Sequence, residues 1–313
     1  MTAAHLTPSV LGMLSGIVGI LILASVITAL LRHLHPDRSY IELSQRIRSW
    51  WIMLGIFAGA MLLSRTASIV LFAFVSFLAL KEYFSLIPTR RADRRVLFWA
   101  YAAIPIQYYW VQAEWYGMFI IFIPVYLFLL LPMRMVMVGE TKDFLRAAGT
   151  LHWGLMTMVF SISHAAFLLA LPAERNPAAG GAGLVLYLVF LTQLNDVAQY
   201  VWGKSTGRHK IIPKVSPNKT WEGFLGGLAT TTVLAWFLAP HLTPLGTWES
   251  IAAGLLIALG GFIGDVTISA LKRDIGVKDS GSLLPGHGGI LDRIDSLTYT
   301  SPLFFHFVYY LHY

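Results

Sequence analysis

Apolar residues in this chain run in long unbroken stretches, without strand-like alternation or narrow helical stripes. A helix that crosses a bilayer needs about 20 mostly apolar residues. Such runs fall near 9–31, 50–64, 67–81, 97–113, 117–133, 148–171, 183–202, 223–240, 249–271 and 297–313. They predict an all-α, polytopic integral membrane protein with about nine to ten transmembrane helices. The second and third runs are short and predict a tight or partly re-entrant hairpin. The first run has no Lys or Arg before it and no A-x-A site after it, so it reads as a retained span.

Charge placement supports this list of spans. With the N-terminus outside, 21 of the 23 Lys and Arg residues fall in inner loops, and only Arg65 and Arg175 lie outside. Basic residues collect on the cytoplasmic side of membrane proteins, which accounts for the net charge of +7 without invoking nucleic acid. Only 12% of residues are charged, against about 25% in soluble domains. That is too little polar surface to coat a globule of this size. The absence of cysteine excludes disulfides, thiolate metal ligands and cysteine nucleophiles. No internal repeat marks the chain. It divides by polarity into residues 1–147, with merely basic inner loops, and 148–313, which holds two polar inner segments at 195–223 and 265–296.

Those segments carry the candidate chemistry. Asp196 and Asp265 lie inside apolar runs, where an ionised side chain costs roughly 2.5–3.5 kcal/mol and needs a partner, a cavity or a metal. Asp292 and Asp295 are spaced i, i+3, which puts both on one face if the segment is helical. Two carboxylates on one face suit a hard cation such as Mg²⁺; near a helix N-terminus they also suit an acidic cap. Between Asp265 and Asp292 stand Lys272, Arg273, Lys278 and Asp279, then His287 among Gly286, Gly288 and Gly289. The upstream segment GKSTGRHKIIPKVSPNKTWEG brings Lys204, Arg208, Lys210, Lys214 and Lys219, the neutral donors Ser216, Asn218 and Thr220, and Glu222. Carboxylates for a metal, cations for phosphate and glycines for close approach are the parts of phosphoryl or nucleotidyl transfer. His152 and His164, in the sixth run, read as polar spots on a helix interface. A transporter would place its charges near the midplane of two related halves, and the crowding of polar motifs into the last third argues against one.

The stretch Ser269–Asp295 resembles the signature of phosphatidate cytidylyltransferases, the CDP-diacylglycerol synthases. Ser269, Leu271, Lys272, Arg273, Lys278, Asp279, Leu284, Pro285, His287, Gly288, Gly289, Ile290, Asp292, Arg293, Ile294 and Asp295 match its pattern in order, and Asp196–Gly223 resembles a second family element. The resemblance implies transfer of cytidylate from CTP to phosphatidic acid at the cytosolic face of a membrane, with release of pyrophosphate and with Mg²⁺ or another divalent cation required. It implies metal ligation by Asp265, Asp292 and Asp295, and charge neutralisation by Lys219, Lys272, Arg273 and Lys278. Asp279 and His287 complete the implied catalytic set. Substrate binding falls to Asp196, Lys204, Ser216, Asn218, Lys219, Thr220, Glu222, Gly288, Gly289 and Arg293. A homodimer is the implied assembly. Two positions depart from the pattern, Gln199 and Asn218, and both leave the acceptor lipid open. The alternatives are CTP-dependent transfer to another lipid phosphate and a CTP-dependent lipid kinase.

Overall fold

The structure, a computed structural model, describes residues 6–35, 40–88, 94–281 and 288–313. Each expected apolar run coincides with a helix. These are α1 (Pro8–Leu34), α2 (Ile41–Leu63), α3 (Arg65–Leu86) and α4 (Arg94–Gln112), then α5 (Tyr116–Val136), α6 (Phe144–Ala170), α7 (Gly180–Thr206), α8 (Trp221–Leu242) and α9 (Thr247–Asp274). A short α10 (Leu291–Ile294) leads into α11 (Leu297–His312). Among the described residues the only sheet is an antiparallel hairpin, β1 (Lys210–Ile212) with β2 (Ser216–Thr220), between α7 and α8. The chain is therefore an all-α polytopic membrane protein. Eight of its described helices are long and apolar enough to cross a bilayer; α4 is diluted by Gln, Tyr and Trp, and α11 has 16 residues.

Of the expected short hairpin, the tight form is the one found, while its shortness and the re-entrant alternative are corrected. α2 and α3 have 23 and 22 residues and meet at Ser64. The polar stretch IELSQRIRS that precedes the second apolar run is itself helical, so hydropathy alone understated α2. Ser64 ends one helix and caps the next, its Oγ accepting from the Ala67 amide at 3.0 Å.

α7 is the axis of the polar half. It packs along α8 and touches α9 and α11. Tyr187 donates to the Ala235 carbonyl at 3.1 Å, Thr192 to Thr300 at 3.0 Å, and Thr231 to Asn195 Oδ1 at 3.1 Å. Such ties average about 0.6 kcal/mol inside a bilayer, where apolar side chains gain little by leaving lipid for protein. Several together fix the rotation of α7, and hence where Asp196 and Gln199 stand. At the start of α11, Gly264 of α9 lets the turn come close: a Cβ there would stand 2.5 Å from the Asp295 carbonyl oxygen.

Candidate active site

The two polar segments meet at one end of the bundle. The C-terminal end of α7, the β-hairpin, the start of α8, the end of α9 and the turn around α10 all lie there. Lys219, near the end of β2, pairs with Asp265 Oδ2 of α9 at 2.6 Å and donates to Gln199 Oε1 of α7 at 2.9 Å. Its ammonium also lies 5.7 Å from the centre of the Phe262 ring. Burial works against the charged lysine, but Asp265 and Asp196 outweigh it and hold its pKa above the usual lysine value.

Asp196 and Asp295 complete this cluster. Ser296 Oγ lies 3.1 Å from Asp196 Oδ1 and 3.0 Å from the Gly261 carbonyl, with one proton to share between them. The Ser296 amide donates to Asp295 Oδ1 at 2.7 Å. Burial first, then the charges of Asp265 and Asp196, push the Asp295 carboxyl well above the ordinary carboxylate range. Three acidic side chains thus face one close ammonium, with Arg293 contributing positive charge to Asp196 and Asp295.

Asp292 belongs to a different set of contacts. Its Oδ1 pairs with Lys272 at 2.6 Å, and its Oδ2 accepts from the Ser280 amide, the Ser280 hydroxyl and the Gly289 amide at 3.0, 2.9 and 3.1 Å. Burial alone would raise its pKa, but Lys272 and those amides more than offset it and leave the carboxyl below its usual value. Asp292 therefore ties the segment after α9 to α10. Asp292 and Asp295 stand one turn apart on right-handed helical backbone, as their spacing predicts, but the two carboxylates have different neighbours.

Glu82 of α3 is the contributor that sequence reasoning missed. Its carboxylate accepts from the amides of Ile290 and Leu291 at 2.8 and 3.1 Å, clasping the start of α10. A Cβ at Gly289 would have to displace the Glu82 carboxylate and Ser280 Oγ. Gly288 has φ +77°, a left-handed conformation, and a Cβ there would press on Asp292.

The remaining expected residues are placed as follows. Glu222 accepts from the Arg208 and His209 amides and from the His209 ring, closing the hairpin onto α8. Thr220 caps α8 by accepting from the Gly223 amide at 3.2 Å. Arg273 donates to the Val215 and Val277 carbonyls. Lys204 lies over the Tyr200 ring, and Ser216 and Asn218 stand on β2. Lys278 and Asp279 are exposed. His287 and Gly286 lie outside the described residues. His164 is buried among Phe119, Phe160 and Phe305, as a helix-interface residue should be.

Among the described residues, no group of three or more His, Cys, Asp or Glu side chains stands as a ready metal cage. The chemistry of the Asp196, Asp265 and Asp295 cluster nevertheless fits a hard dication. The donors are all carboxylate oxygens, and Mg²⁺ commonly takes only one or two of these, filling its shell with water and substrate phosphate. In this structure the Lys219 ammonium is the positive charge beside these carboxylates.

Comparison with known proteins places these features in context. Residues 44–311 match the profile of the cytidylyltransferase family. An Escherichia coli (strain K12) protein, YnbB, described as uncharacterised, is 47% identical over 297 residues, covering 95% of this chain and 97% of that protein. A phosphatidate cytidylyltransferase of Staphylococcus aureus (strain COL) is 42% identical over 124 residues, 39% of this chain and 48% of that protein. Its counterpart in Haemophilus influenzae is 43% identical over 138 residues, 42% of this chain and 47% of that protein. Alignment with these two enzymes thus spans about half of their length.

Proposed function

Since the chain belongs to the cytidylyltransferase family and is a nucleotidyltransferase of the membrane, we propose that it transfers cytidylate from CTP to phosphatidic acid, giving CDP-diacylglycerol and pyrophosphate. The observation that carries this reading is the Lys219–Asp265 pair set against Asp196 and Asp295 at the polar end of the bundle. The acceptor is a phosphate monoester whose oxygen is already nucleophilic at neutral pH. It attacks the α-phosphorus of CTP in line, a new P–O bond forms, and the bond from the α-phosphorus to the bridging oxygen breaks as pyrophosphate leaves. No strong general base is needed, so the work falls on positioning and charge stabilisation. Lys219 neutralises phosphate charge at the cluster. Lys272, held by Asp292, and Arg273, held against the hairpin, keep further positive charge beside the path.

Asp265, with Asp295 and Asp196, would hold a divalent cation, and a bound cation would stabilise the charge developing on the departing pyrophosphate. Asp292, a further metal ligand by the resemblance, pairs in this structure with Lys272 and accepts from Ser280 and Gly289, as Asp265 pairs with Lys219 and accepts from Ser269. In this reading Asp292 also shapes the segment that borders the site. The active site of this reading opens to the cytosol, and in a bacterial cell the membrane would be the cytoplasmic one. A homodimer is the proposed assembly.

The test is pyrophosphate release by purified full-length protein from CTP with a panel of acceptors: phosphatidic acid, an isoprenyl phosphate and diacylglycerol. Release with phosphatidic acid alone is expected. Release only with the isoprenyl phosphate would move the acceptor, and phosphorylation of diacylglycerol would make the protein a lipid kinase.

A further inference from the structure

Gln199 stands one turn beyond Asp196 in α7, and its side chain is unusual in being half satisfied. The residue is 4% exposed. Its Oε1 accepts from Lys219 Nζ at 2.9 Å. An ammonium only donates, so this contact fixes which end of the amide faces the lysine. Nε2 is then a buried donor with no hydrogen-bond partner among the described residues. Buried donors are nearly always satisfied, and one left over calls for an explanation.

Packing holds the amide where it is. α8 presents Gly223 and Gly227 to this residue: a Cβ at Gly227 would collide with Gln199 Cγ, and one at Gly223 would stand 2.8 Å from its carbonyl oxygen. On the other side the Lys219–Asp265 pair keeps 18% and 21% side-chain exposure, so the cluster is accessible next to the amide. Arg293 repeats the theme at the same cluster, with a buried Nε that also lacks a partner. An unsatisfied N–H donor on the side chain that holds an accessible ammonium makes an arrangement for an oxyanion.

We propose that Gln199 is a substrate-contacting specificity residue, its Nε2–H donating to a non-bridging phosphate oxygen of a ligand whose charge Lys219 neutralises. The assignment rests on reading this cluster as a phosphate site. The oxygen comes either from the nucleotide triphosphate or from the lipid phosphate, and the two sources are separable by binding. Full-length wild type and Gln199→Met, which keeps length but has no N–H, are titrated separately with CTP, cytidine, short-chain phosphatidic acid and diacylglycerol. The expected result is a Kd raised about tenfold for one phosphate ligand, a loss typical of a hydrogen bond to a charged group. Its unphosphorylated counterpart should bind unchanged, and the affected ligand identifies the source. Equal binding of both phosphate ligands by variant and wild type would overturn the proposal, as would a parallel loss for cytidine and CTP.

Should Gln199→Met fail to fold, Gln199→Glu answers the same question. It can still accept from Lys219, lacks the donor and adds negative charge, so at least the same weakening is expected and unchanged binding overturns the assignment. Turnover is scored independently. Phosphate binding without pyrophosphate release overturns the proposed reaction alone, whereas turnover with unchanged binding in the variants overturns the role of Gln199 alone.

Discussion

Asp292 and Lys272 form an ion pair with side-chain exposures of 9% and 11%. Removing one member of a buried pair leaves a charge without compensation and costs about 3–5 kcal/mol, whereas removing both costs much less. Lys272→Met and Asp292→Asn are each expected to lower the unfolding temperature of the purified protein in detergent. The double variant should lose clearly less than the two single losses combined, and simple additivity would contradict the pairing. Gly289 gives a second test at this scale. Gly289→Ala forces a methyl group against Glu82 and Ser280, so turnover should fall at least tenfold, which corresponds to about 1.4 kcal/mol in the barrier. A fully active Gly289→Ala enzyme would show that the clasp of Glu82 on Ile290 and Leu291 has no bearing on the site.

At the scale of elements, the hairpin delivers Lys219 to the cluster, and Glu222 anchors it to α8 through two backbone amides and His209. Glu222→Ala is expected to raise the KM for CTP several-fold while leaving the far-ultraviolet circular dichroism unchanged. An unaltered KM would mean that the hairpin holds its shape without this anchor. The elements themselves were largely legible in the sequence, because an unbroken apolar run is a strong local signal. Their ends were less so: the polar first turns of α2 carry no apolar signal at all. Within the site, Asp196 and Asp265 announced themselves as charges inside apolar runs. Glu82 did not, since an acidic residue near the end of a span looks ordinary and its partners lie 208 and 209 residues away. The different partners of Asp292 and Asp295 were also hidden. Spacing gives the shared face but not the neighbours, which for Asp292 are Lys272, Ser280 and Gly289 and for Asp295 include the close approach that Gly264 allows.

For the whole molecule, the concentration of basic residues on one side predicts an orientation with both polar segments in the cytosol. The chain has no cysteine, so single introduced cysteines report accessibility without background. Ser205→Cys, in the exposed last turn of α7, should react with a membrane-impermeant maleimide only after the inner face is exposed. Glu174→Cys, between α6 and α7, should react from outside in intact cells. The opposite pattern would invert the topology and place the Lys219 cluster away from cytosolic CTP.

Transfer of labelled cytidylate tests the central claim most directly. Purified full-length protein is given CTP labelled at the α-phosphate, phosphatidic acid and Mg²⁺, and the lipid fraction is compared between wild type and Asp265→Asn. The account predicts labelled CDP-diacylglycerol from the wild type and a loss of at least a hundredfold in the variant, since Asp265 both pairs with Lys219 and would help hold the cation. Wild-type protein that binds CTP yet transfers no label to phosphatidic acid, or an Asp265→Asn variant as active as the wild type, would contradict it.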